Sequence, residues 1–112
     1  MTGFELTTTS NADQTVVSVA GECDLSTREQ FSSTLLAAVD EAPVVLVDLL
    51  DLRFIDSTGL HAIVLAHQAA QRQGRHLYLV NAGGAVARVL ELTGVGALLQ
   101  PPLEPPQAAG RR

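Results

Sequence analysis

The chain has a single cysteine, Cys23, among its 112 residues. One thiol closes no internal disulfide, supplies no Cys-x-x-Cys redox pair and builds no cysteine-rich zinc site. Basic residues are also few, seven against twelve acidic ones, for a formal net charge of −5. Nucleic acid is bound largely through its phosphates by clustered Lys and Arg, so this balance argues against DNA or RNA and for a protein partner with a basic face. The apolar run Val44 to Leu50 is broken by Asp48 and is far too short to span a bilayer. The opening MTGFELTTTS has neither the basic start nor the apolar stretch of a secretory signal. A soluble cytoplasmic protein with no membrane insertion is expected. There is no Walker-type glycine loop to hold a nucleotide phosphate, and no Gly-x-Ser-x-Gly elbow to present a catalytic serine.

What is present suffices for one modest core, since 46% of the residues are apolar and 17% charged. Phe4, Leu6 and Thr8 alternate with polar residues, and beyond the turn-forming Ser10-Asn11-Ala12-Asp13 comes the strand-like Thr15 to Ala20. Two hairpin-linked strands follow from this. Ser26 with Glu29 three residues on makes a capping-box pattern, and Phe31, Leu35 and Val39 then recur at helical spacing, predicting a helix that ends near Asp40 or Glu41. The continuous run Val44 to Leu49 predicts a central strand covered on both faces.

A second helix is predicted from about Ser57 to Gln73, with Gly74 supplying a left-handed terminator and Arg72 a cation in the last turn. Leu77 to Val80 is the next strand, and Gly83-Gly84 marks a turn into a short helix carrying Val86, Val89 and Leu90 that stops near Thr93-Gly94. Val95 to Leu99 is a possible last strand. The predicted fold class is thus α/β, a mixed sheet with an N-terminal antiparallel hairpin followed by strand–helix–strand crossovers, helices packed on the sheet. One domain is expected over residues 1–99. Residues 100–112 hold four of the five prolines and read as a disordered or polyproline-like tail.

The stretch Leu50 to Leu65, LDLRFIDSTGLHAIVL, carries the most chemical information. It reads as the end of an apolar strand, a short acidic loop and the start of a helix at Asp56-Ser57-Thr58-Gly59. Asp56 or Ser57 can cap that helix in the ordinary way. Equally, the free N–H groups of a helix start can accommodate an anion, including a phosphate esterified to Ser57. Gly59 either lets a neighbour come close or relaxes a tight turn. On the helical wheel Leu60, Ile63, Val64 and His67 form the stripe toward the sheet, His61, Gln68 and Arg72 lie on the polar side, and Ala62, Leu65 and Ala69 make a second small apolar strip. That strip, next to Ser57, is the candidate partner surface. His67 reads as a packed histidine and Cys23 as a small buried apolar residue. His61, His67 and His76 have no metal-ligand spacing with a third group, so no metal or other cofactor is expected.

Asp56-Ser57-Thr58-Gly59-Leu60 after an apolar strand, together with Gly21-Glu22-Cys23-Asp24, resembles the anti-sigma factor antagonist branch of the STAS domains. The resemblance covers roughly Phe4 to Leu99. It implies a binding switch and no enzyme. Unphosphorylated members bind an anti-sigma factor that is also a serine kinase and so free the sigma factor; phosphorylation releases them, and a PP2C-type phosphatase resets the cycle. Carried over by position, Ser57 is the phosphoryl acceptor, with Thr58 the competing hydroxyl. The partner surface then comprises Asp24, Asp56, Thr58, Gly59, His61, Ala62 and Leu65. Asp24, Asp56 and Asp51 would give that sheet end an acidic character to which a phosphate adds. His61 departs from the pattern, which often has glycine there, and the proline-rich tail stands where many relatives have a final helix. The rival within the same fold is a constitutive docking or scaffold subunit of a stress-signalling complex or a membrane transporter, bound without phosphorylation.

Overall fold

A computed structural model describes residues 3–101 as an α/β unit. The elements run β1 (Phe4–Ser10), β2 (Gln14–Cys23), α1 (Arg28–Glu41), β3 (Val44–Ile55), α2 (Ser57–Arg72), β4 (His76–Val80), α3 (Gly84–Thr93) and α4 (Val95–Leu98). The strands lie in the order β1-β2-β3-β4, with β1 antiparallel to β2 and the other pairs parallel. This is the mixed sheet that the hairpin signal and the alternation of strands with helices predict.

Register explains where the core sits. Thr15, Val45 and Leu77 align across three strands, and Val17, Val47 and Leu79 form the next row on the same face. All six side chains are buried. Helices α1 and α2 pack side by side over the sheet, and α3 packs against β3. Phe31, Leu35 and Val39 of α1 close the core at the predicted positions, with Phe31 edge-on to Phe4 at 6.0 Å between ring centres. The intervening row, Val16, Leu46 and Tyr78, is only half-buried. The central strand is therefore covered fully on one face, not on both: its apolar character is continuous, but its burial alternates.

Three local expectations need correction. First, β3 does not end at Leu49. It continues to Ile55 through two register shifts, so that Asp51 pairs with Ala20 and Ile55 with Cys23. Each shift inserts an extra residue on β3, a bulge that re-aims the side chains that follow. The buried positions become Leu49, Leu52 and Ile55, at a spacing of three that matches neither a strand nor a helix. The acidic loop read between Leu50 and Asp56 is thus strand. Second, Ser26 does not cap α1: the cap position is Thr27 with no side-chain cap bond, and the Ser26 hydroxyl and N–H both donate to Asp24 Oδ1 at 2.7 and 3.0 Å. Asp24 wins because a carboxylate two residues back closes a tight Asx turn.

Third, Val95–Leu98 is helical, entered through Gly94 at φ 81°. The Leu99 carbonyl hydrogen-bonds to the edge of β4, accepting the Leu79 N–H at 3.0 Å. Gly74, at φ 70°, stands in the left-handed region just past α2, as its position predicts. Gln100 and Pro101 have no regular structure, and the rest of the tail read from the sequence lies outside the described residues.

Candidate functional site

Pairing of the strand ends builds the site. Cys23 and Ile55 are the last partners of β2 and β3, and the Asp56 N–H then donates to the Cys23 carbonyl at 3.2 Å. Asp24 and Asp56 consequently leave the sheet at the same end, as expected. Asp51 does not join them, being held in the body of β3 opposite Ala20. The turn after Asp24 is tied twice to Thr27, whose hydroxyl accepts from the Asp24 N–H and donates to the Asp24 carbonyl, at 3.0 and 3.1 Å.

Asp56 is the cap of α2. Its Oδ1 accepts the Thr58 N–H at 3.0 Å, the Gly59 N–H at 3.2 Å and the Thr58 hydroxyl at 2.6 Å. The hydroxyl bond foremost, and the two amide bonds with it, hold the Asp56 carboxyl below the usual carboxylate range against the opposing effect of partial burial. A carboxyl depressed on folding stabilises the fold above its unfolded pKa, near 4, and loses that contribution as pH falls through the lower folded value. Asp56→Ala is expected to cost about 1 kcal/mol at neutral pH. Thermal melts should show the gap between the two proteins closing as the pH is taken well below 4.

Ser57 is the first residue of α2 and is exposed, and its hydroxyl makes no hydrogen bond among the described residues. The expectation that first-turn N–H groups would hold a phosphate here needs revision. Asp56 already occupies those of Thr58 and Gly59, and its carbonyl takes that of Leu60 at 3.1 Å. While Asp56 holds these three amides they are not open to a phosphate on Ser57, which would also stand beside an ionised carboxylate.

Gly59 is buried, and the structure decides between the two readings of it. A Cβ there would fall 2.7 Å from Ile55 Cγ1 and 2.8 Å from Cys23 Sγ. Close approach of the helix to the strand ends is the reason for glycine. The residue faces inward and is not part of an exposed partner surface. Cys23 is fully buried, and desolvation pushes its thiol up to about 11, with the nearby Asp56 and Asp24 charges acting in the same sense. The native protein is expected to react with a thiol reagent at pH 8 only as fast as it opens, with a full equivalent modified once it is denatured. Rapid modification of the native state would contradict this packing.

Helix α2 buries about half its circumference, because α1 lies beside it while the sheet lies beneath. The buried arc is Gly59, Leu60, Ala62, Ile63, Ala66, Ala69 and Ala70. Ala62, assigned to the partner strip from sequence, is 1% exposed, and Ala69 is buried with it. Alanines carry little weight in an apolar pattern, so the wheel placed the core on Leu60 and Ile63 and missed the flank that lets two helices approach closely. Of that strip Leu65 alone is exposed, and it lines up with Ser57 and His61 at a spacing of four on the outer face. Thr58 and Asp56 are half-buried at the helix start.

His67 is only half-buried, with Nδ1 unpartnered among the described residues, beside His76 and Arg75 in a cavity of about 290 Å³ at the far end of α2. It is not near Ser57's hydrogen-bonding groups and offers that hydroxyl no base.

Two exposed apolar side chains close in sequence to Asp24 and Asp56 went unread. Leu25, 72% exposed, follows Asp24, and Phe54, 46% exposed, lies two residues before Asp56. They flank the acidic sheet end. The available signal was a leucine inside a turn and a phenylalanine out of the alternation, both of which the loop assignment absorbed.

Known proteins share this architecture. The anti-sigma-B factor antagonist of Listeria monocytogenes is 29% identical over 91 residues, covering 80% of each chain. The solved structure of an anti-sigma factor antagonist from Mycobacterium paratuberculosis superposes with a TM-score of 0.78 at 26% identity, covering 98% of this chain and 96% of that one. The anti-sigma factor antagonist SpoIIAA in its unphosphorylated form gives a TM-score of 0.74 at 20% identity, over 97% of this chain and 95% of its own, a likeness of fold. The model of the STAS domain family matches residues 4–106, and with its mixed four-stranded sheet and its Asp-Ser-Thr-Gly helix start the chain belongs to the STAS domain family.

Proposed function

We propose that this STAS domain is an anti-sigma factor antagonist switched by phosphorylation of Ser57. Unphosphorylated, it binds a serine-kinase anti-sigma factor in the cytoplasm and so frees a sigma factor; phosphorylated, it lets go, and a PP2C-type phosphatase restores it. Residues 1–99 form the working domain, with the proline-rich residues 100–112 dispensable for it. The observation that carries the reading is the exposed Ser57 hydroxyl, free of hydrogen bonds among the described residues, at the start of α2 beside the ionised Asp56 cap.

The docking surface is the acidic sheet end, Asp24 and Asp56, rimmed by Leu25 and Phe54 and continued along α2 by His61 and Leu65. Exposed apolar side chains around a charged centre suit a partner with a basic, partly apolar face. Thr58 and the buried Gly59 shape this surface from beneath. The domain itself binds and carries the phosphate; the kinase and phosphatase supply the chemistry.

The test pairs the wild type with Ser57→Ala, each incubated with ATP and the serine-kinase anti-sigma factors of the same genome, followed by intact-mass and site-mapping spectrometry. One phosphate on Ser57 of the wild type is expected, with Ser57→Ala bound but unlabelled. A kinase that binds both proteins and labels neither would favour the constitutive docking subunit.

A further inference from the structure

Two neighbouring hydroxyls, on Ser57 and Thr58, stand at the start of α2, and the structure treats them differently. We infer that Asp56 is the residue that selects between them, holding Thr58 out of phosphoryl transfer and leaving Ser57 as the acceptor. This rests on the proposed phosphorylation switch and adds its site selectivity.

The geometry is direct. The Thr58 hydroxyl donates to Asp56 Oδ1 at 2.6 Å, the same oxygen that receives the Thr58 and Gly59 N–H groups. Three donors converging on one oxygen fix the Thr58 side chain in a single rotamer, half-buried against the cap. To act as a nucleophile, Thr58 Oγ1 would have to turn its lone pair to an incoming γ-phosphorus, break a charge-assisted bond and bring the anionic phosphate beside the Asp56 carboxylate. Ser57 shares the carboxylate neighbour but has no such bond to break and no fixed rotamer to leave, because its side chain is exposed and makes no hydrogen bond among the described residues. In transfer to Ser57 the Oγ attacks the γ-phosphorus of ATP, the bond to the bridging oxygen breaks, ADP leaves, and the serine proton passes to the kinase's own base or to solvent.

Asp56 is thus a positioning residue, and the nature of its hold can be tested by which substitutions keep it. Asparagine retains an Oδ1 that accepts the same hydrogen bonds and is an equally good cap. Alanine retains none. Four variants, Asp56→Asn, Asp56→Ala, Ser57→Ala and Ser57→Ala combined with Asp56→Ala, would be incubated with ATP and the serine-kinase anti-sigma factor found to label the wild type, and phosphate mapped separately to residues 57 and 58. Wild type and Asp56→Asn should carry phosphate on Ser57 alone. Asp56→Ala should raise the Thr58 share by at least about tenfold, the size of effect a hydrogen bond to a charged group produces. Ser57→Ala should stay unlabelled while the double variant is labelled on Thr58.

Phosphate on Thr58 in Ser57→Ala with Asp56 intact would overturn the inference, and would show the Asp56–Thr58 pair acting as base and nucleophile. An unlabelled double variant that still binds the kinase would overturn it too. Circular dichroism of each variant separates loss of selectivity from loss of the helix: similar helix content in Asp56→Asn and Asp56→Ala is expected. A selectivity change that tracked helix loss would assign Asp56 a purely structural role. If no kinase labels the wild type, the switch itself fails. In that case a Thr58 hydroxyl proton observable by NMR, and absent in Asp56→Ala, still supports the pinned geometry, whereas its rapid exchange with solvent in the wild type overturns it.

Discussion

Ser57→Asp is expected to weaken binding of the serine-kinase anti-sigma factor about a hundredfold, roughly 2.7 kcal/mol, while thermal stability shifts by no more than about 0.5 kcal/mol. The two halves of this expectation come from the same place in the structure. A carboxylate on the first helical residue interacts favourably with the helix end, worth about 0.3–1 kcal/mol, but it also stands beside the ionised Asp56 that already caps α2. The two effects oppose each other, and Ser57 is exposed and outside the buried core, so the fold is nearly indifferent. The interface is not. A like-signed or desolvated charge placed where a partner docks costs several kcal/mol, with nothing inside the domain to absorb it. A true phosphate, with nearly twice the charge, is expected to reach about 3–4 kcal/mol, several hundredfold in affinity. Binding titrations with melting curves on the same samples check both halves. The effect should shrink in high salt, since the site is exposed.

The second large effect concerns the support beneath the serine. Gly59→Val is expected to destabilise the domain by about 3 kcal/mol, at the upper end of the range for overpacking a core. The first carbon of any side chain already meets Ile55 Cγ1 at 2.7 Å and Cys23 Sγ at 2.8 Å, and valine adds two methyl groups in the same tight space. Either α2 lifts from the strand ends, carrying Ser57 and Asp56 with it, or Cys23 and Ile55 move within a filled core. The milder Gly59→Ala gains about 1 kcal/mol in helix propensity against the same clash. Combining it with Cys23→Ala, which removes the sulfur, should recover part of the lost stability. A denaturant series on the two single variants and the double variant measures that coupling. Additivity would mean the sulfur is not what the side chain meets.

The elements that were legible in the sequence are those whose period was clean. The hairpin, the Phe31-Leu35-Val39 face of α1, the glycine terminators of α2 and α3, and the cap at Asp56 each follow from one local rule, and each stands where that rule puts it. What escaped has a physical reason in each case. The bulges in β3 replace a spacing of two by a spacing of three, so Leu52 and Ile55 read as loop and Phe54 was overlooked as a surface residue. The alanine flank of α2 depends on how α1 lies beside it, a long-range fact that no window of neighbouring residues contains. Ala62 was misplaced for that reason, while Leu65, from the same apparent strip, points outward. Capping of α1 was misread because Asp24 competes for Ser26 at shorter range. The place of Ser57 at the start of α2 was legible; that Asp56 already takes the amides of Thr58, Gly59 and Leu60 was not, because it depends on the cap's side-chain and backbone geometry.

The most direct measurement is a calorimetric titration of the serine-kinase anti-sigma factor with the domain in two preparations, unphosphorylated and stoichiometrically phosphorylated on Ser57, at matched salt and nucleotide. Tight binding by the first and at least a several-hundredfold weaker interaction by the second is the predicted result. Equal affinity for the two forms would contradict the account, leaving a docking domain whose serine is a helix residue and no switch.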